Sequence, residues 1–478
     1  MRDLLLDLID AVAGRFPYVD ARHVRRQTEE LTVRNGELVT LDSHEDEGIG
    51  IRIRSGGAWA FAAARGSDRA AAEEALARAI RLAEAGARGL DTPLTEEPAS
   101  GGEYSSHAKI DPFGVSLEEK LALLIPAEAA LREQRGVTVG RAGTLARSEE
   151  KLFVSSEGAS CRQLLTECGG GIAAVAVGSD GAQIRSYPGS HAGSVAQAGW
   201  EHVLGLELAA SAPRVAAEAV ALLGAPACPA GPTTLVLAGE QLGMQLHESV
   251  GHAVELDRVL GGEASYAGTS WVRADGLGSL RYGSEQMNVT ADATLIGGLG
   301  SFRWDDEGVR AQSVPIVRNG LLSGFLSSRE SAAAIGLPRS GGCMRAEGFA
   351  RQPIVRMTNI GLDPGDAGTL EDLIAATDRG IYIDTNRSWS IDSRRLHFQF
   401  TGEAAWEIVD GRLGRMLRDP VYAGVTPELW AGLDAVCSAP AWQLVSVTDC
   451  GKGEPGQLAH VSHGAAPARF RNVQLGLP

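Results

Sequence analysis

The stretch LHESVGHAVE, residues 246–255, sets His247 and His252 five positions apart, with Glu248 directly after the first histidine. Imidazoles and a neighbouring carboxylate are the groups with which a protein holds a divalent metal and moves a proton beside it. In the helical zinc-hydrolase pattern the histidines stand four apart and share one face. Five residues of ideal α-helix turn through about 500°, which leaves the rings roughly 140° apart with ~7.5 Å of rise between them. Such rings cannot share an ion. A π-turn adds one residue to the helix and closes the gap, and such turns often mark functional sites. Gly251, just before His252, is where extra backbone freedom costs least. By spacing alone, the pair is also open to the plain reading of two ordinary histidines on a buried helix.

The tail VTDCGKGEPGQLAHVSHG supplies a third donor. Cys450 precedes Gly451-Lys452-Gly453, which reads as an exposed turn whose lysine favours thiolate. Two histidines and one thiolate leave the fourth tetrahedral position of zinc open for water, as in catalytic sites. Glu248 could then take the proton of that water. His460 and His463 lie in the same tail as competing ligands, and either could instead pair with Cys450 as a nucleophile. Cys450 alone could also be an inert small residue at a turn.

These residues need a scaffold, and its signals run along the chain. MRDLLLDLIDAVAGRF spaces its apolar residues as a surface helix does; without a basic start or cleavage site it is expected to be a surface helix and not a signal peptide. Asn35-Gly36 and Ser55-Gly56-Gly57 mark hairpin turns. Residues 67–87 predict an amphipathic helix capped by Ser67 or Asp68. SLEEKLALLIPAEAALREQ opens with a Ser116/Glu119 capping box, and residues 204–224 predict one further helix. GAPACPAGP, residues 224–232, has three prolines in nine positions and blocks both helix and inner strand. It divides the chain into an N-terminal α+β domain, 1–223, with antiparallel sheet, and a mostly β C-terminal domain, 224–478. The latter opens with the strand TTLVLA and a helix from Glu240 to Val259 that carries the histidines. Turns follow at 318–324 and 409–414, and short helices at 327–336 and 370–380. Asp305, Asp306 and Glu307 in WDDEG read as a turn between strands.

Composition narrows the function classes. The chain has 478 residues, 44% of them hydrophobic and 22% charged, ordinary for a folded globular protein. A formal charge of −16 excludes a nucleic-acid tracker, which needs a basic face. Six cysteines without a CxxC pair indicate free thiols in a reducing compartment. No apolar run reaches the roughly 18 residues of a membrane span. The expected location is cytoplasmic.

Five passages in order along the chain resemble the TldD/PmbA family of metalloproteases, in its TldD-type, metal-bearing form. They are RNGELVTLDSHEDEGIGIRI, LHESVGHAVELD, RWDDEGVRAQSVPIVRNGLLSGFL, ARQPIVRMTNIGLDPG with RGIYI downstream, and DCGKGEPG. The resemblance implies Zn2+ held by His247, His252 and Cys450, with Glu248 as catalytic acid/base. It implies a homodimer, or a heterodimer with a PmbA (TldE)-type subunit that lacks the motif. It also implies unfolded peptide substrates, including leader or precursor peptides, that enter a site enclosed by the dimer. One segment departs from the family pattern: NRSWSIDSRRLHFQF stands where glycine-rich sequence is usual. This bears on substrate preference, and Arg394 with Arg395 could bind a peptide carboxylate.

The expected activity is therefore zinc-dependent hydrolysis of extended peptides. Strand addition along a sheet edge would explain loose sequence selectivity. The alternative is a non-catalytic peptide-binding or scaffold subunit of the same kind of dimer, for which Glu248 beside two candidate ligands has no use.

Overall fold

The computed structural model describes residues 1–86, 92–190 and 193–476. The fold is mixed α+β. In the N-terminal half, long strands Tyr18–Arg34, Glu37–Ser55, Val137–Ser155 and Ser160–Gly178 pair antiparallel in one sheet. Gly101–Ser105 joins its edge in parallel. The Asn35-Gly36 turn has φ of 51° and 82°, the left-handed pair that lets two residues connect twisted strands.

Helices cover the sheet where their signals predicted. Asp68 accepts from the Ala71 N–H and starts the helix Arg69–Ala85; Ser116 and Glu119 form the capping box of Leu117–Arg132. Two apolar clusters sit at opposite ends of the long strands. Val19, Ala21 and Ile51 pack with the Arg2–Ala13 and Arg69–Ala85 helices at one end. Leu31, Val33 and Ile172 pack with the Leu117–Arg132 and Leu208–Gly224 helices at the other.

The single helix expected over 204–224 is two, Trp200–Gly205 and Leu208–Gly224. Glu207 stands between them at φ 50°, and its carbonyl accepts from the Ala210 and Ser211 N–H groups at 3.0 and 3.2 Å. A left-handed residue ends one helix and redirects the chain into the next.

Beyond residue 230 the chain is rich in strands. Arg379–Ile391, Gly231–Leu237, Ala468–Leu475, Val421–Val425 and His397–Val409 pair in that order, and Arg379–Ile391 pairs again with His397–Val409. The sheet therefore closes on itself. A second sheet places Asn359–Leu362, Gln457–Ala465 and Gln443–Lys452 side by side. One large apolar core fills the space between them, and it includes Leu242, Leu246, Met357 and Trp430.

The WDDEG segment does turn, with the Asp305 N–H bonded to the Val309 carbonyl at 2.9 Å. It is also buried and charged against the N-terminal sheet. Asp306 meets Lys151 at 2.7 Å and Arg22 at 3.4 Å, and Glu307 meets Arg52 at 3.5 Å. These pairs leave no local mark in the sequence, because their partners lie far away along the chain. No helix among the described residues is long and apolar enough to cross a membrane.

Candidate metal centre

The expected helix from Glu240 to Val259 is not one uniform helix. It is α-helical over Gly239–Leu246, π-wound over His247–Gly251, 3₁₀ over His252–Val254, and α-helical again over Leu256–Val259. The His252 N–H reaches back five residues to the His247 carbonyl. That extra residue brings the two rings to 4.9 Å between centroids.

Core side chains hold the widened turn. Tyr282 Oη donates to the Ser249 carbonyl at 2.6 Å, and Trp430 Nε1 donates to Ser249 Oγ at 3.0 Å. Gly251 has a different reason from the one its position suggested. Its φ of −51° is ordinary for a helix, so it needs no glycine freedom. A Cβ there would collide with Met357 Sδ and stand 3.2 Å from Cε. Close approach, not flexibility, asks for glycine.

Cys450 sits in the strand Gln443–Lys452 and is buried, not on an exposed turn. Between Val447 and Cys450 the pairing with Gln457–Ala465 slips by one residue. Such a bulge re-aims side chains, and here the thiol faces the histidines. Donor atoms of His247, His252 and Cys450 lie within 4.8 Å of one another.

The residues fit a zinc ion by two observations. Cys450 Sγ is 3.6 Å from His252 Nε2, the separation of ~3.6 Å that tetrahedral Zn–N and Zn–S bonds of about 2.0–2.3 Å would give. The donor chemistry agrees as well. Burial alone would raise the Cys450 thiol, but His247, Arg356 and His252 outweigh it and hold it well below its ordinary value. Burial keeps His252 well below the usual imidazole range, and thus neutral. Burial also works against charge on His247, yet Cys450 and Glu248 outweigh it and raise that ring.

Each imidazole is braced at its other nitrogen, as metal-bound histidines usually are. His247 Nδ1 is 2.7 Å from His463 Nε2, and His252 Nδ1 is 2.9 Å from Glu255 Oε2. His463 thus braces His247 instead of joining the three-donor cluster. His460 points elsewhere, 2.5 Å from Glu167 of the N-terminal sheet. Lys452, expected to favour the thiolate, bonds Asp257 at 2.7 Å and the Val355 carbonyl at 2.7 Å. Arg356 takes its place beside Cys450, donating to the Cys450 carbonyl and to the Gln457 carbonyl.

Glu248 lies next to the triad in the chain, and two side chains of the departing segment hold its carboxylate. Trp389 Nε1 donates to Oε1 at 2.7 Å, and Arg395 pairs with Oε2. Arg394 is exposed, so the two arginines do not form a joint clamp. Nothing local in the sequence links Trp389 to Glu248. The Glu255 brace was visible as the carboxylate three places after His252.

Known proteins resemble the chain in sequence and in fold. Models of the PmbA/TldA metallopeptidase match over domain 1, residues 19–87, the central domain, 110–224, and the C-terminal domain, 230–476. A metalloprotease of Methanothermobacter thermautotrophicus is 30% identical over 99% of this chain and 98% of its own. One of Methanocaldococcus jannaschii is 29% identical over 98% of both chains. The crystal structure of TldE from Thermococcus kodakarensis has the same fold, with a TM-score of 0.73 and 16% identity over 99% of this chain and 100% of that one. With the family's three domain models matched in order and the His-His-Cys cluster in place, the chain belongs to the PmbA/TldD metallopeptidase family.

Proposed function

We propose that the chain is a zinc-dependent peptidase acting on unfolded or extended peptides, leader and precursor peptides among them. The observation that carries this reading is the convergence of His247, His252 and Cys450 within 4.8 Å, with Glu248 adjoining the first. A relative from Saccharolobus solfataricus, 27% identical over 52% of this chain, is named a zinc metalloprotease. His247, His252 and Cys450 would hold the ion, which when bound supplies a Lewis acid and lowers the pKa of water towards neutrality.

The protein's own groups do the rest. Glu248 takes the proton of the attacking water and returns it to the leaving amine. His463 and Glu255 keep the two rings aimed at one point. The peptidase machinery belongs to a C-terminal domain of residues 224–478, and the N-terminal domain, 1–223, contributes the long sheet. The working form is a dimer, with a second copy or with a PmbA (TldE)-type subunit.

The test is cleavage of an unfolded peptide by the purified protein, with zinc measured alongside. The parent should carry stoichiometric zinc and cleave. His247→Ala and Cys450→Ala should lose both properties, and Glu248→Ala should keep zinc and lose cleavage. Cleavage that persists in all three variants refutes the assignment, and a metal-free, inactive parent favours the scaffold alternative.

A further inference from the structure

Glu248 is held from outside its own helix by one hairpin. Trp389 lies in Arg379–Ile391 and Arg395 in the tight connection to His397–Val409. The two strands pair up to Ile391 and Phe398, so both residues sit on a rigid support.

The connection is built around Arg395. Asp392 Oδ1 accepts from the Arg394 and Leu396 N–H groups at 3.1 and 2.8 Å. The Arg395 carbonyl accepts from Thr426 Oγ1 at 2.8 Å. Arg395 itself stands at φ 62°, a left-handed conformation that is unfavourable for a non-glycine residue. Glycine or asparagine would serve the backbone better there. The side chain supplies the reason for arginine: although it springs from a turn, it is 15% exposed and directed onto Glu248.

We infer that Trp389 and Arg395 are positioning residues that hold the Glu248 carboxylate toward the His-His-Cys cluster. This rests on the reading of Glu248 as acid/base. A glutamate has several rotamers, and proton transfer needs one of them within hydrogen-bonding reach of the water. The indole N–H fixes one oxygen and the guanidinium the other. Each oxygen keeps a further lone pair for the proton it must accept.

Zinc-loaded Trp389→Phe and Arg395→Lys proteins test this by kinetics on an unfolded peptide and by crystallography. Trp389→Phe keeps an aromatic ring but removes the indole N–H together with the five-membered ring that carries it. Zinc content and KM should match the parent, kcat should fall about 10–100-fold, and Glu248 should occupy a different or mixed rotamer. An unchanged kcat, or a carboxylate that keeps its place in both variants, overturns the inference. A raised KM for a peptide with a free C-terminus, but not for its amide, also overturns it and makes Arg395 a receptor for substrate carboxylate. If the parent cleaves nothing, the crystals still decide: a displaced Glu248 upholds the positioning role while the peptidase reading falls.

Discussion

His463 Nε2 lies 2.7 Å from His247 Nδ1, with both rings buried. One imidazole orients the other, and the bond leaves Nε2 of His247 as the nitrogen free to bind a metal. Partners of this kind typically change metal affinity 10–100-fold. His463→Gln should therefore weaken zinc binding by roughly that factor in a competition titration with a chelator. His460→Gln should leave it unaltered, since His460 faces Glu167. Equal affinities in the two variants would reduce the His463 contact to simple packing.

Gly251→Ala should destabilise the protein by about 1–3 kcal/mol, the usual cost of overpacking, because its Cβ would run into Met357. Met357→Ala opens that space. Met357→Ala is itself costly, since that side chain is buried, but the double variant should lose less than the sum of the two single losses, measured by urea unfolding. Additive losses would show that the collision is not the cause.

Asp306 is 1% exposed and pairs with Lys151 and Arg22 across to the N-terminal sheet. Removing one partner of a buried pair leaves uncompensated charge and costs about 3–5 kcal/mol. Asp306→Ala should lower the unfolding free energy by that order. A change below about 1 kcal/mol would mean that water reaches the cluster.

Glu240 accepts from Ser190 Oγ at 3.0 Å and from the Asn386 N–H, and burial pushes it up to about 7. Unfolded, it returns to about 4.3. The folded state therefore binds the extra proton, so this contribution to stability is full below about pH 4.3 and lost as pH rises through about 7. Glu240→Gln cannot titrate. Its stability relative to the parent should improve between pH 5 and pH 8, read from denaturation midpoints. A pH-independent difference would contradict the raised value.

Much of the scaffold is legible in local residues. The Asn35-Gly36 turn, the Asp68 cap and the Ser116/Glu119 box are short-range hydrogen-bonding devices, set by residues no more than three apart. The need for a π-turn follows from the five-position step from His247 to His252. The helix expected over 204–224 was less legible, because apolar spacing continues through Glu207 while the backbone turns there.

What local order determined, then, is the kind of donor group and the irregularity needed to present it. Tertiary structure alone decided which of the tail's donors meet the pair, since a β-bulge between Val447 and Cys450 aims a sulfur and strand register assigns His463 to a supporting place. It also decided that Trp389 and Arg395 grip Glu248 from some 140 residues away. Periodicity and capping act over a few residues and leave a mark in sequence. Contacts made when a closed sheet brings distant strands together depend on register and packing, which no short window of residues contains.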